Sequence, residues 1–384
     1  MIAVIADDFT GAAELGGIGL RYGLSVEVCT AVKAATDSDL LIIAADTRST
    51  GEARAVREME AISKALLPLE PALIFKKTDS VLRGHVMAEI NAQLKALRFS
   101  RALLVPANPA LGRTIRGGLY FLHGKPVHQS SFSIDPEFAI GSSRVQDMLR
   151  VKDDAITIRQ TGDTLPREGV IVGEVSNKDD VRNWAEGLDY DTLPAGGSGF
   201  FAAILDALGV AGSEHASAGR PGGPALFVCG TSFQKSRDAI KAIHDKGGPV
   251  SYMPATIATA TEELALTYND WCAEVLQMMQ SGGKAIVAIC EEYGDATTVP
   301  ASVLRKRMAM LVQQVLQGIN IKELFIEGGS TAYAALQQAG LHDFRPVQEM
   351  APGVVRMRAP ERAGLYVTVK PGSYDWPAAA WPFR

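Results

Sequence analysis

The sequence predicts an α/β protein of two domains, each a mostly parallel sheet flanked by helices. Three observations carry that expectation. Short runs that are apolar on both faces recur along the chain, as strands buried between helix layers require. Segments of helical period separate them, which is the alternation of βαβ units. A chain of 384 residues also exceeds what one hydrophobic core supports.

Taken in order, the first-half strands are "IAVIA" (2–6), "LLIIAA" (40–45), "ALIF" (72–75), "ALLVPA" (102–107) and "GVIVGEV" (169–175). Between them "AAELGGIGLRYG", "EARAVREMEAISKALL" and "MAEINAQLKAL" repeat apolar residues every three or four positions and read as helices. "LGGIGL" lies inside the first of these and reads as close packing. Residues 210–224, "VAGSEHASAGRPGGP", have no periodicity and bury little, so they read as a linker between domains at 1–209 and 225–384. The strands resume as "ALFVC" (225–229), "AIVAIC" (285–290), "ELFIE" (323–327) and "LYVTVK" (365–370). "SRDAIKAIHDK", "LALTYNDWCAEVLQMMQ" and "ASVLRKRMAMLVQQVLQ" are the helices between them.

Composition removes several classes of function. With a net charge of −5 there is no basic excess to neutralise phosphates, so neither a nucleic acid nor a membrane is expected as partner. Cys29, Cys229, Cys272 and Cys290 are scattered and form no CxxC pair, which fits a reducing compartment. No basic leader opens the chain and no apolar run would span a bilayer, so a cytoplasmic protein is expected. The six histidines lack metal-ligand spacing, so no protein-bound metal is expected. GxxxxGK[ST], a protein-kinase HRD/DFG set, a GxGxxG after the first strand and GxSxG are all absent.

In open parallel sheets ligands bind beyond the carboxyl ends of the strands. In the first half those ends carry Asp7 and Asp8, then Asp46 and Arg48, then the cluster "KKTDSVLRGH" with Lys76, Lys77, Thr78, Asp79, Ser80 and Arg83, then Asn108 and Arg113. Such a set fits a small, anionic, hydroxylated ligand. Arginine and lysine neutralise a carboxylate, while Asp8 and Asp79 accept hydrogen bonds from hydroxyls or remove a proton. Capping of the first helix is the competing account of Asp7 and Asp8, since "DDFTG" precedes a periodic run. His85 is a further candidate substrate contact. The second-half ends carry "GTS" (230–232), "GGST" (328–331), "PGV" (352–354) and "KPGS" (370–373). Glycine-rich turns before a helix let backbone amides approach phosphate oxygens.

Together these motifs resemble the four-carbon acid sugar kinase family, also described as YgbK-like or DUF1537. The resemblance runs in order through "ADDFTGA" (6–12), "KKTDSVLRG" (76–84), "PANPALGRTIRGGLYFLHGKPV" (106–127), "AGGSGF" (195–200), "GTS", "EGGSTA" (327–332), "PGV" and "KPGS". It implies an N-terminal domain for the acid sugar, a C-terminal domain for ATP, and an active site in the cleft between them. Residue by residue it implies an acid site at Asp7, Asp8, Arg48 and Lys76 to Ser80. It implies an ATP site at Ser232, Gly328, Gly329, Ser330, Thr331, Gly353 and Gly372. Two positions depart from the pattern: Ser330 stands where relatives often have an acid, and His85 where they commonly have Asn.

The implied reaction is transfer of the ATP γ-phosphoryl group, with Mg²⁺ on the phosphates, to a hydroxyl of D-erythronate, threonate or 3-oxo-tetronate. Asp79 or Asp8 is the candidate base, and Arg83 with the lysines steadies charge. A kinase for a branched or keto acid such as 3-oxo-isoapionate, another sugar-acid enzyme, and a non-catalytic sensor are the alternatives. Whether the chain forms a homo-oligomer is left open.

Overall fold

A computed structural model describes residues 1–135, 137–210, 219–230, 233–259, 265–289 and 299–383. The chain divides into two compact units, Met1–His215 and Ala216–Arg384.

In the first unit the strands are β1 (Ile2–Ala6), β2 (Val26–Cys29), β3 (Leu40–Ala44), β4 (Leu73–Lys77), β5 (Arg101–Val105), β6 (Arg113–Arg116), β7 (Leu119–Leu122), β8 (Lys125–Pro126), β9 (Ile156–Arg159), β10 (Gly169–Gly173) and β11 (Thr192–Gly196). The helices are α1 (Phe9–Arg21), α2 (Glu52–Leu66), α3 (Val86–Leu97), α4 (Val145–Met148), α5 (Lys178–Glu186) and α6 (Ser198–Ala207). The main sheet runs β2-β3-β1-β4-β11-β5-β10-β9, with every pairing parallel. Because β3 and β4 flank β1 on opposite sides, the order reverses at β1, the kind of point where open α/β sheets bind ligands. Helix α2 packs beside α3, while α1 and α5 both pack on α6. Phe75 meets Phe200 and Phe201 of α6 at 6.1 and 5.1 Å between ring centroids. Strands β6, β7 and β8 form a separate antiparallel meander after β5.

The second unit contains β12 (Ala225–Cys229), β13 (Val250–Tyr252), β14 (Lys284–Ala288), β15 (Glu323–Glu327), β16 (Asp343–Ala351), β17 (Val354–Arg358) and β18 (Tyr366–Lys370). Its described helices are α7 (Gln234–Asp245), α8 (Ala255–Thr259), α9 (Ala265–Gly282), α10 (Ala301–Gly318) and α11 (Gly329–Gln338). The order is β13-β14-β12-β15-β18-β17-β16, parallel as far as β18 and antiparallel at β17 and β16. On one face α7 shares cover with the C-terminal tail. Phe227 stacks on Phe325 at 4.4 Å, and Trp381 and Phe383 meet Phe227 edge-on at 5.4 and 4.9 Å.

Among the described residues each apolar run read from the sequence overlaps a strand, and each periodic segment a helix. The sequence reading omitted β2, β6 to β9, β11, β13, β16 and β17. Most are short or amphipathic, and β11 ("TLPAG") contains a proline and a glycine although every residue in it is buried. The "LGGIGL" segment does serve packing: a Cβ at Gly19 would lie 2.7 Å from Val26 Cγ2 and 2.6 Å from Leu40 Cδ2. Cys29, Cys229 and Cys272 are all buried. Cys290 and residues 211–218 of the predicted linker lie outside the described residues. No helix among the described residues is long and apolar enough to cross a membrane.

Candidate active site

Register decides which residues share an edge. Ala6 of β1 pairs with Ala44 of β3 and Lys77 of β4, Lys77 pairs with Gly196 of β11, and Gly196 pairs with Val105 of β5. The loops after these strands therefore leave the sheet together. Asp7 and Asp8, Arg48, and the segment Thr78–Arg83 meet at the point where the strand order reverses.

At the centre is Arg48. Its Nε donates to Asp7 Oδ2 at 2.8 Å, Nη2 lies 3.0 Å from Asp8 Oδ1, and Nη1 lies 3.4 Å from Asp79 Oδ1. Arg83 forks onto Asp79, with Nε 2.9 Å from Oδ2 and Nη2 2.8 Å from Oδ1, and its Nη1 donates to Asp135 Oδ2 at 2.8 Å. Backbone N–H groups of Val81 and Arg83 also donate to Asp79 Oδ2, at 3.2 and 3.1 Å. Burial alone would raise the pKa of Asp79, but the Arg83 and Arg48 charges and these bonds outweigh it and hold the group far below the carboxylate range. Burial likewise opposes ionisation of Asp8, and Arg48 and Lys77, with help from Thr10 and Gly11, leave its pKa lowered. Both carboxylates are firmly anionic and weakly basic.

Of the two accounts offered by the sequence, the capping one holds for Asp8, and the same carboxylate also faces Arg48. Asp8 is the N-cap of α1, accepting the Gly11 N–H at 2.9 Å and the Thr10 hydroxyl at 2.5 Å. Asp7 Oδ1 is buried without a hydrogen-bond partner.

The loop after β4 is shaped for this contact. Leu82 and Gly84 adopt left-handed φ values of 63° and 88°. A Cβ at Gly84 would stand 2.9 Å from Arg48 Cγ, so only glycine suits both the backbone angle and the approach of Arg48. Ser80 accepts Arg113 Nη1 at 2.8 Å through its hydroxyl and the Tyr120 hydroxyl through its carbonyl. The Thr78 hydroxyl is buried without a hydrogen-bond partner.

The structure separates Lys76 from this group, a correction to the expectation that it lines the crevice. Successive strand residues face opposite sides, so Lys76 turns under α3, where its fully buried Nζ lies 2.6 Å from Glu89 Oε2. Lys77 turns toward α1, with Nζ 3.7 Å from Glu14 Oε2 and donating to the Thr78 carbonyl at 2.9 Å. His85 is engaged too: its Nε2 is 2.6 Å from the Thr50 carbonyl oxygen.

In the second unit Cys229 pairs with Glu327, Glu327 with Lys370, and Val369 with Val355. These registers bring Gly230, the Gly328–Thr331 turn, Gly353 and the Pro371–Ser373 turn to one edge. Gly328, at φ 95°, is the N-cap of α11, so Gly329, Ser330 and Thr331 form a helix N-terminus with its amide donors. A Cβ at Gly230 would overlap the Thr331 side chain, which fixes how closely the two turns approach. Gly353 (φ 74°) closes the β16–β17 turn against the Tyr374 ring, and Gly372 lies in the turn after β18. Ser232 and Thr231 lie outside the described residues.

The sequence reading did not assign Asp135, Glu14, Glu89, Glu327 or Ser236. Glu327 and Glu89 carried a signal, a charged residue inside an otherwise apolar strand or on the apolar stripe of a helix. Asp135 carried none.

Residues 2–204 match the sugar-binding N-terminal domain family and residues 226–374 the nucleotide-binding C-terminal domain family. A D-threonate kinase of Salmonella typhimurium is 25% identical, over 91% of this chain and 89% of that one. A 3-oxo-tetronate kinase of Brucella melitensis is 24% identical, over 97% and 92%. A crystal structure of a Haemophilus influenzae protein, HI1011, shares the fold with a TM-score of 0.69, 19% identity and 98% coverage of both chains. Two domain families matched in sequence, over most of the chain and on the units that hold the two motif sets, lead to one assignment: the chain belongs to the four-carbon acid sugar kinase family.

Proposed function

We propose that the protein is an ATP-dependent kinase that phosphorylates a hydroxyl of a small four-carbon acid sugar, with D-threonate, D-erythronate and 3-oxo-tetronate as the acceptor class. One observation carries the reading. Asp7, Asp8, Arg48, Asp79 and Arg83 converge on the strand-order reversal of the unit that matches the sugar-binding family.

In this reading Arg48 and Arg83, whose guanidinium groups carry five N–H donors each, attract the substrate carboxylate with donors left over from their aspartates. Asp79 holds the two arginines in place, since both its oxygens already receive guanidinium donors. Asp8 is the better candidate to orient the attacking hydroxyl, because among the described residues its Oδ2 accepts from Thr10 alone and keeps a lone pair. Low basicity at these carboxylates is compatible with phosphoryl transfer, which depends mainly on positioning and charge neutralisation. Thr78, Ser80 and Lys77 complete the acid site.

For ATP, the amides of Gly329 to Thr331 and the glycine turns at Gly230, Gly353 and Gly372 suit phosphate oxygens, with Ser232 assigned from its motif. Mg²⁺ belongs to the same reading, supplying charge neutralisation on the phosphates when bound. Glu327, the carboxylate at the end of β15, is held here by Lys370 and Ser236, and the reading places the ion on the phosphates.

An ADP-release assay over D-threonate, D-erythronate, 3-oxo-tetronate and 3-oxo-isoapionate tests the proposal. ADP formation that depends on one of the four-carbon acids is expected. ATP binding without turnover on any acid would point to a sensor, and no ATP binding by calorimetry would overturn the kinase reading.

A further inference from the structure

We propose that Lys370 is a phosphate-binding cation of the nucleotide site, parked on Glu327 until a triphosphate draws it away. This rests on the nucleotide reading above. Lys370 and Glu327 end β18 and β15 as register partners. The Gly328 N–H donates to the Lys370 carbonyl at 2.9 Å, so the lysine borders the turn whose amides open α11.

The ammonium is held by groups at and just after the strand ends. Its Nζ is 2.9 Å from Glu327 Oε1, 3.3 Å from the Pro371 carbonyl oxygen, and 5.2 Å from the centroid of the Trp376 ring. Both charged side chains are only 1% exposed. The Ser236 hydroxyl, in the first turn of α7, donates to the same Glu327 oxygen. One carboxylate therefore ties together the ends of β15 and β18 and the start of α7.

Charge balance favours an exchange of partners. Helix-end amides supply only partial positive charge, whereas a triphosphate brings several full negative charges. A buried ammonium at the neighbouring strand end supplies a full one. The carboxylate it leaves would not be stranded: Ser236 still donates to it, and one proton from solvent can neutralise it. Burial already raises the Glu327 pKa against the pull of Lys370 and Ser236, so that protonation is eased.

The competing account is a structural staple, a buried pair that holds strand ends and never meets ligand. The two differ in the sign of one effect. Glu327→Gln keeps an acceptor for Ser236 and frees the ammonium, so ATP should bind unchanged or several-fold more tightly. A staple predicts weaker binding. Lys370→Met should weaken ATP binding by about tenfold to a hundredfold, the usual worth of a charge-assisted hydrogen bond, with the KM for the acid sugar unchanged.

Calorimetric ATP titration of the full chain, its Lys370→Met variant and its Glu327→Gln variant reads both effects, and Trp376 fluorescence should change on binding as the ammonium leaves its ring. ATP affinity of Lys370→Met within about twofold of the parent overturns the proposal, as does a clear loss of affinity in Glu327→Gln. Should Lys370→Met fail to fold, the sign of the Glu327→Gln effect decides alone. If the parent chain binds no ATP, the nucleotide reading itself has failed, a result distinct from either variant outcome.

Discussion

Asp79→Asn tests whether Asp79 organises the site or performs its proton chemistry. The substitution keeps shape but removes one charge from a carboxylate that receives two Arg83 side-chain bonds, two backbone N–H bonds and the approach of Arg48. An amide nitrogen would also face guanidinium donors with a donor of its own. Removing one partner of a buried ion pair costs about 3–5 kcal/mol. For a unit of this size each kcal/mol shifts Tm by roughly 2–4 °C, so a fall of about 6–20 °C is expected.

The pH dependence fixes the sign. Because the folded pKa of Asp79 is depressed, its stabilisation is fully present above the ordinary carboxylate pKa and fades as pH falls toward the lower folded value. The gap between parent and variant should therefore be widest from neutral pH down to about pH 5 and narrow in stronger acid. Differential scanning calorimetry across pH, run beside the ADP-release assay, provides both readouts. A variant that melts within about 2 °C of the parent yet has lost turnover would refute the organising role and return Asp79 to the position of base.

Three further outcomes are expected. Lys76→Met should destabilise the first unit by about 3–5 kcal/mol by stranding Glu89, and Lys76→Met with Glu89→Leu should recover most of that with turnover retained, as seen by denaturant unfolding and kinetics. Gly84→Ala should cost about 1–2 kcal/mol for its left-handed backbone and displace Arg48, raising the KM for the acid sugar while leaving ATP affinity unchanged. Burial and the Asp206 contact push the Tyr22 phenol up to about 12. The unfolded chain then loses that proton first, so stability should fall between roughly pH 10 and 12, and Tyr22→Phe should flatten the fall relative to the parent in thermal melts.

Much of this was legible in the linear chain, and the reason is local. Runs such as "LLIIAA" are apolar on both faces because a parallel strand is covered on both sides, and that demand is written residue by residue. The residue types at the strand ends were equally plain. Charges such as Asp7, Asp8 and Arg48 stand soon after apolar runs, and glycines stand before a helix, where the sequence lets them be listed. In the case of Asp8 the sequence offered a cap and a site residue as rivals, although one carboxylate has lone pairs enough for both.

The fold alone decided which charges meet. Lys76 and Lys77 are neighbours in sequence, yet strand alternation sends one under α3 to Glu89 and the other toward α1 and Glu14. Arg83 finds Asp135 from 52 positions away, and Glu327 finds Lys370 only because β15 and β18 lie side by side in register. Periodicity records the face a residue takes within its own element. A partner from another element depends on how helices and loops dock, through contacts between residues far apart in the chain.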